Sequence, residues 1–260
     1  MELFKDKVAC LIILLVILLP CFADADNKPV SIDLKDGKAK VALLKGNASV
    51  IKAGKTPAQT LTQDDLLSGG DLVTTGENTR IELKLPDGSY LRYDEETTFK
   101  LVSVAYDKNK KQRNISVGMI LGKTWAKVAR LSGTRGRFAI SSKTAVAGVR
   151  GTIYRMNVNK DNSVTVKVYW GDVVVKSPAM VDTEAQPGKI TKPTKVEEPH
   201  PIQGPTPVSM QEWTYSVKAL QQIDIHSDGT VSKPFRFSIK DDINDWVLWN
   251  QKRDKEIGDN

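Results

Sequence analysis

The chain has 260 residues, with 38 Lys or Arg against 31 Asp or Glu and a net charge of +7. Both cysteines, Cys10 and Cys21, fall within the first 25 residues, so the rest of the chain has no disulfide framework, cysteine metal site or thiol nucleophile. The remainder is long enough to bury a sizeable core in one or two domains.

Residues 1–25 read as a signal peptide. Lys5 and Lys7 form a charged start, an apolar run of eleven residues follows from Cys10 to Pro20, and Ala23-Asp24-Ala25 supplies a small-residue cleavage site. The run is shorter than the ~20 residues a membrane-spanning helix needs, so no transmembrane segment is expected after cleavage behind Ala25. The alternative is a lipoprotein: Leu18-Leu-Pro-Cys21 resembles a lipobox with Cys21 as the lipidated residue, although Pro20 fits it poorly. Either outcome places the protein in the periplasm or outside the cell. Removing residues 1–25 takes away two cations and three anions, which raises the net charge from +7 to +8.

Residues 26–36 are polar and read as a loose leader. From 37 to 177 short alternating runs recur between Gly, Asp and Asn turn signals, the pattern of an all-β domain. Strands are predicted at 38–44 and 48–52, paired around Lys45-Gly46-Asn47, and then at 71–75, 79–85 and 89–93. Pro86-Asp87-Gly88 joins the last two, because proline presets φ and glycine tolerates positive φ. Further strands are predicted at 99–105, 114–121, 123–129, 137–141 and 149–158. The last of these leads past Asp161-Asn162 into 164–170 and a tight Trp170-Gly171 turn before 172–175. Turns every 8–12 residues imply a short-strand sandwich or a stacked solenoid.

Residues 178–208 hold seven prolines and few large apolar side chains, and read as a linker or an extended strap. Order returns in a small α+β tail over 209–255, predicted as helix, hairpin, helix. Ser209-Met-Gln-Glu212 has the form of a capping box, with Trp213, Val217 and Leu220 on one helical face. A hairpin is predicted around Ser227-Asp228-Gly229, and a last helix over 242–253 groups Ile243, Trp246, Val247 and Trp249.

The basic excess is local: between Lys100 and Lys160 there are fourteen Lys or Arg and one acid, Asp107. Such a density attracts polyanions, or it marks strand positions that face solvent. Nucleic acid is not an expected partner, since no base-stacking motif accompanies the charge. Arg150, between Gly148-Val149 and Gly151-Thr152, is open to two readings: a structural bridge between β layers, or an anion contact. Trp125, Tyr154, Tyr169 and Trp170 could line a carbohydrate or peptide surface, or pack as ordinary core. Gly69-Gly70-Asp71 and the acidic Asp94-Glu95-Glu96 read as turns rather than as phosphate or calcium sites. The two histidines, His200 and His226, have no nucleophile or carboxylate constellation beside them, and no enzyme motif appears; no cofactor is expected.

Several blocks occur in an order that resembles the FecR family. They are Leu67-Ser-Gly-Gly-Asp-Leu-Val-Thr-Thr-Gly76, Ile81-Glu-Leu-Lys-Leu-Pro-Asp-Gly-Ser89, Glu96-Thr-Thr-Phe, Val117-Gly-Met-Ile and Val149-Arg-Gly-Thr152. The resemblance covers residues 37–177 and implies a FecR-like β domain. It also implies a role like that of the best-known members, regulators of iron-citrate uptake that contact a sigma factor through a cytoplasmic domain. No such helical domain stands before the β segment, so the sigma-factor contact does not carry over. The expectation is an exported, non-enzymatic binding module of the cell envelope, with a periplasmic regulator of an iron-uptake type signalling system as the alternative. Its partner would be an envelope protein or an anionic envelope polymer, held by a basic patch of Arg135, Arg137, Lys143, Arg150 and Arg155.

Overall fold

The computed structural model describes residues 37–178 and 212–258. The expected signal peptide, most of the proline-rich stretch, His200 and Ser209 of the capping box lie outside these residues. In chain order the first strands are β1 (Ala39–Lys45), β2 (Ala48–Ile51), β3 (Gln59–Leu61), β4 (Leu66–Leu67), β5 (Leu72–Thr75) and β6 (Arg80–Lys84). They are followed by β7 (Tyr90–Tyr93), β8 (Thr98–Asp107), β9 (Gln112–Lys127), β10 (Arg135–Ser141), β11 (Val146–Val149), β12 (Ile153–Val158) and β13 (Val164–Trp170). Last come β14 (Asp172–Lys176), β15 (Thr214–Lys218), β16 (Gln221–Ile225), β17 (Phe235–Arg236) and the helices α1 (Ile239–Asp242) and α2 (Asp245–Ile257).

Two layers arise because the chain keeps crossing between them. Layer A runs β3-β2-β5-β8-β9-β10-β11-β14-β15, and layer B runs β4-β1-β6-β7-β9-β12-β13-β16-β17. Apart from their first strands, each layer adds its members in chain order, so the sandwich is wound progressively, as a solenoid is. All pairings are antiparallel except β9 with β10.

β9 belongs to both layers. Its first part pairs with β8 and β10, and from Gly122 onward it pairs with β7 and β12. Gly122 has φ +101, and a Cβ there would lie 2.2 Å from Thr97 Oγ1. Only glycine lets the strand turn here against that neighbour. The predicted strands at 114–121 and 123–129 are thus one strand bent at Gly122.

The core lies between the layers. Val73, Phe99, Leu101, Ile115, Val117, Ile140 and Val173 of layer A join Val41, Ile81, Leu83, Leu91, Tyr154, Met156 and Val166 of layer B in one buried cluster. Tyr93 stacks on Phe99 with ring centroids 3.5 Å apart. Burying each such aliphatic side chain contributes about 1.5–3 kcal/mol before chain entropy is counted.

Two sequence expectations need correction. β1 and β2 do not form a hairpin: β1 pairs with β4 and β6, and β2 with β3 and β5, so Lys45-Gly46-Asn47 carries the chain between layers. The tight Trp170-Gly171 turn is present, and it too crosses between layers, from β13 in layer B to β14 in layer A. Finally, Trp213, Val217 and Leu220 do not share a helix. Residues 214–218 are strand β15, in which Val217 is fully buried and opposite Val173. Trp213, Tyr215 and Val217 alternate with polar residues, a period of two that outweighs the helical spacing once β14 offers an open edge.

The tail therefore extends both layers before turning helical. β15 adds to layer A and β16 to layer B. The predicted last helix is present as α2, with Asn244 as its cap: the side-chain oxygen accepts from Val247 N at 3.0 Å. Among the described residues, no helix is long and apolar enough to cross a membrane.

Candidate functional site

Charged residues occupy the outer surfaces of both layers, but in two different ways. On layer B they form a cross-strand row, in which Glu82 stands opposite Arg92, Arg92 opposite Trp125, Trp125 opposite Arg155, and Arg155 opposite Lys167. Alternation points these side chains away from the core, yet Glu82, Arg92, Trp125 and Arg155 are buried, because α1 and α2 lie over them. Arg92 donates to Glu82 at 2.6 Å and to Asp254 at 2.7 Å, and Arg253 donates to the other Glu82 oxygen at 2.7 Å. Trp125 Nε1 donates to the second Asp254 oxygen at 3.0 Å. Burial alone would raise the Glu82 carboxyl, but the hydrogen bonds from Arg253 and Arg92 outweigh it and hold the group below its ordinary value.

A second cluster closes the other end of the same face. Asp242 accepts from Arg155, from Lys167 at 2.7 Å and from the Tyr169 hydroxyl at 2.5 Å. Burial, opposed by Arg155 and reinforced by the bond to Asp242, pushes the Tyr169 hydroxyl well above its ordinary value. Arg155 is thus a tail clamp and does not belong to the basic patch predicted for it. Trp125 is likewise covered, and Tyr154 is core. Arg80 completes the clamp, bonding Asp245 at 2.6 Å and lying over the rings of Trp246 and Trp249.

The other predicted cations lie elsewhere. Arg135, Arg137, Lys143 and Arg150 are exposed, and no ion pair engages them among the described residues. Arg150 borders three adjoining depressions, of about 340, 500 and 650 Å³, and Asp172 lines all three. Arg137 lines the first; Arg130, absent from the sequence expectation, lines the second and third. Arg135 and Lys143 line none of them.

The Val149-Arg-Gly-Thr152 block builds this cleft. Here the chain leaves layer A for layer B, while Trp170-Gly171 brings it back. Thr152 Oγ1 donates to the Asp172 carbonyl at 2.9 Å, and Val128 N donates to the Thr152 carbonyl at 2.9 Å, so the two crossings are stitched together. Gly151 has φ +65, and a Cβ on it would lie 2.6 Å from Arg130 Cβ, so glycine admits the arginine stem. Arg113 is held beneath, donating to Asp87 at 3.1 Å and to the Ala129 carbonyl at 3.3 Å. Arg150 is left to point outward.

The other candidates resolve into structure. Asp71 organises its turn, accepting from Ser68 N, Ala53 N and Lys52 Nζ at 3.0 Å each. Burial acts to raise its carboxyl, but these bonds prevail and lower it. Asp94 accepts from Lys123 at 2.9 Å and Arg80 at 3.4 Å. No group of three His, Cys, Asp or Glu among the described residues could hold a metal ion.

This geometry defines a two-layer β module whose conspicuous open feature is a basic cleft at the layer crossing. The family model for "FecR protein" matches residues 71–174, a segment that includes the whole of that crossing. Two crystal structures of a proposed anti-sigma factor from Parabacteroides distasonis ATCC 8503 are similar. Each is 15% identical with a TM-score of 0.46, over 69% of this chain and 64% of theirs. The chain thus matches less than two thirds of those structures' length. No curated protein matches it.

Proposed function

We propose that the protein is an exported, non-enzymatic binding module of the cell envelope that holds an anionic partner, a protein or a polymer, through Arg130, Arg137 and Arg150, with Arg135 at the margin. One contrast carries this reading. On layer B, Arg80, Arg92 and Arg155 each meet a tail carboxylate. At the layer crossing, Arg130, Arg137 and Arg150 meet none among the described residues, of which Asp172 is the single acid lining the depressions. Unpaired guanidinium groups gathered in one cleft favour an anionic ligand and fast, salt-sensitive association.

The test is capture of envelope fractions by the full-length protein at low and at moderate salt, beside an Arg130→Glu/Arg137→Glu/Arg150→Glu variant. Loss of capture in the variant supports the reading; unchanged capture with unchanged salt dependence refutes it.

The FecR match favours a second reading, in which the module is a periplasmic regulator passing a signal to a receptor. It requires a single protein partner retained at moderate salt, where exposed charge attractions are screened.

A further inference from the structure

One side chain at the edge of the arginine cleft is not explained by charge alone. Trp170 is 50% exposed, and it lines the 650 Å³ depression together with Arg130, Arg150, Asp172, Ser216 and Lys218. The Arg130 guanidinium lies 6.0 Å from its ring centroid, which steadies the indole at the rim. Gly151 and Gly171 also line this depression, so no Cβ intrudes there. The volume lies within the range of about 300–1,000 Å³ usual for small-ligand sites.

Resting on the binding reading above, we propose that this depression is a subsite for an acidic sugar residue of an anionic glycan, a pyranose bearing a carboxylate or similar group. Three observations select that chemistry. The exposed indole offers a flat, electron-rich face, and the C–H edges of a pyranose are complementary to it. Arg130, Arg150 and Lys218, none of them ion-paired among the described residues, supply charge and hydrogen bonds to the acid group. Asp172 then discriminates. A poly-acid without hydroxyl groups meets its carboxylate as a repulsion, whereas a sugar hydroxyl donates a hydrogen bond to it. A ligand carrying acid groups and hydroxyls on one ring satisfies the whole wall.

The experiment is calorimetric titration of the full-length protein at low ionic strength with three probes: oligogalacturonate, poly-L-glutamate of matched charge, and neutral dextran. Oligogalacturonate is expected to bind in preference to the other two. Trp170→Ala should weaken it about three- to tenfold, and Trp170→Phe should largely restore it. Asp172→Ala should weaken oligogalacturonate while tightening poly-L-glutamate. Thermal melts check that each variant is folded, as expected for exposed positions. Equal or tighter binding of poly-L-glutamate, with oligogalacturonate indifferent to Trp170→Ala, overturns the sugar subsite and leaves an arginine cleft for acidic protein. If none of the probes binds and the Arg130/Arg137/Arg150 variant still captures envelope material as the parent does, the binding reading itself fails as well.

Discussion

Arg92 and Asp254 are separated by 162 positions in the sequence and by 2.7 Å in the fold. Their ion pair fastens the end of the chain to the middle of layer B, and Arg92 is fully buried in making it. Asp254 also accepts from Trp125, so one carboxylate serves two strands. Asp254→Ala leaves a buried guanidinium one partner short, and the expected cost is about 3–5 kcal/mol, read as a lowered midpoint in urea unfolding. Arg92 also donates to the Asn250 carbonyl and side-chain oxygens at 3.4 Å, and a loss under about 1 kcal/mol would mean that Glu82 and Asn250 suffice for it.

The tail should respond to acid. The folded Glu82 carboxyl titrates below its ordinary value of 4.5, so its contribution is complete above that value and fades as pH falls through the folded one. Amide protection in α2, taken relative to the intrinsic exchange rate at each pH, is therefore expected to fall below about pH 4.5 before protection in β8 and β9 does. Equal loss of protection in both regions would assign the acid sensitivity to the sandwich instead.

Asp242 gathers Arg155, Lys167 and Tyr169. Asp242→Ala should strand two cations under α1 and expose the segment between β17 and α2 to limited proteolysis. The layers themselves should stay resistant, since their pairing does not involve Asp242. Proteolysis indistinguishable from the parent would show that α2 alone secures the tail.

Gly122 is where β9 changes layers. An alanine there would place its Cβ 2.2 Å from Thr97 Oγ1 and 2.6 Å from Thr97 Cα at φ +101, so backbone must shift. The expected loss is on the order of 3 kcal/mol, visible as a fall in melting temperature. Gly88→Ala, at φ +85 but with nothing within 4 Å, separates the clash from the cost of positive φ.

Reversing Arg130 and Arg150 should behave differently from all of these. Both are exposed and neither has an ion-pair partner among the described residues, so stability should stay within about 0.5 kcal/mol while anionic capture falls. Substantial unfolding would place the pair in the scaffold rather than in a binding surface.

Much of the strand pattern was legible because alternation survives wherever one face meets the core. Val164-Thr-Val-Lys-Val reads as buried and outward in turn, and β13 follows it. What alternation cannot state is which partner a strand takes. Lys45-Gly46-Asn47 has hairpin chemistry, yet the twist of two stacked layers sends β2 across to the other one. Nor can it say whether an outward charge meets water. Arg155 and Arg150 stand five positions apart and look alike in sequence, but one lies beneath the tail and the other at an open crossing. Glu82, Arg92, Asp242 and Asp254 passed unnoticed for the same reason, since their meaning depends on contacts across 75 to 171 positions. Arg130 and Lys218, which lie far apart in the chain, become neighbours only through the folded cleft.

The placement of the FecR match within the ladders has a practical outcome. The matched segment begins at residue 71 and ends at 174. A fragment cut to those limits would strip β2 from β5 and β1 from β6 at one side, and β15 from β14 and β16 from β13 at the other. Four bare strand edges would then offer free N–H and C=O groups to any passing copy. The stretch that carries the inherited signature is shorter than the stretch that folds, and a protein trimmed to its signature is expected to polymerise.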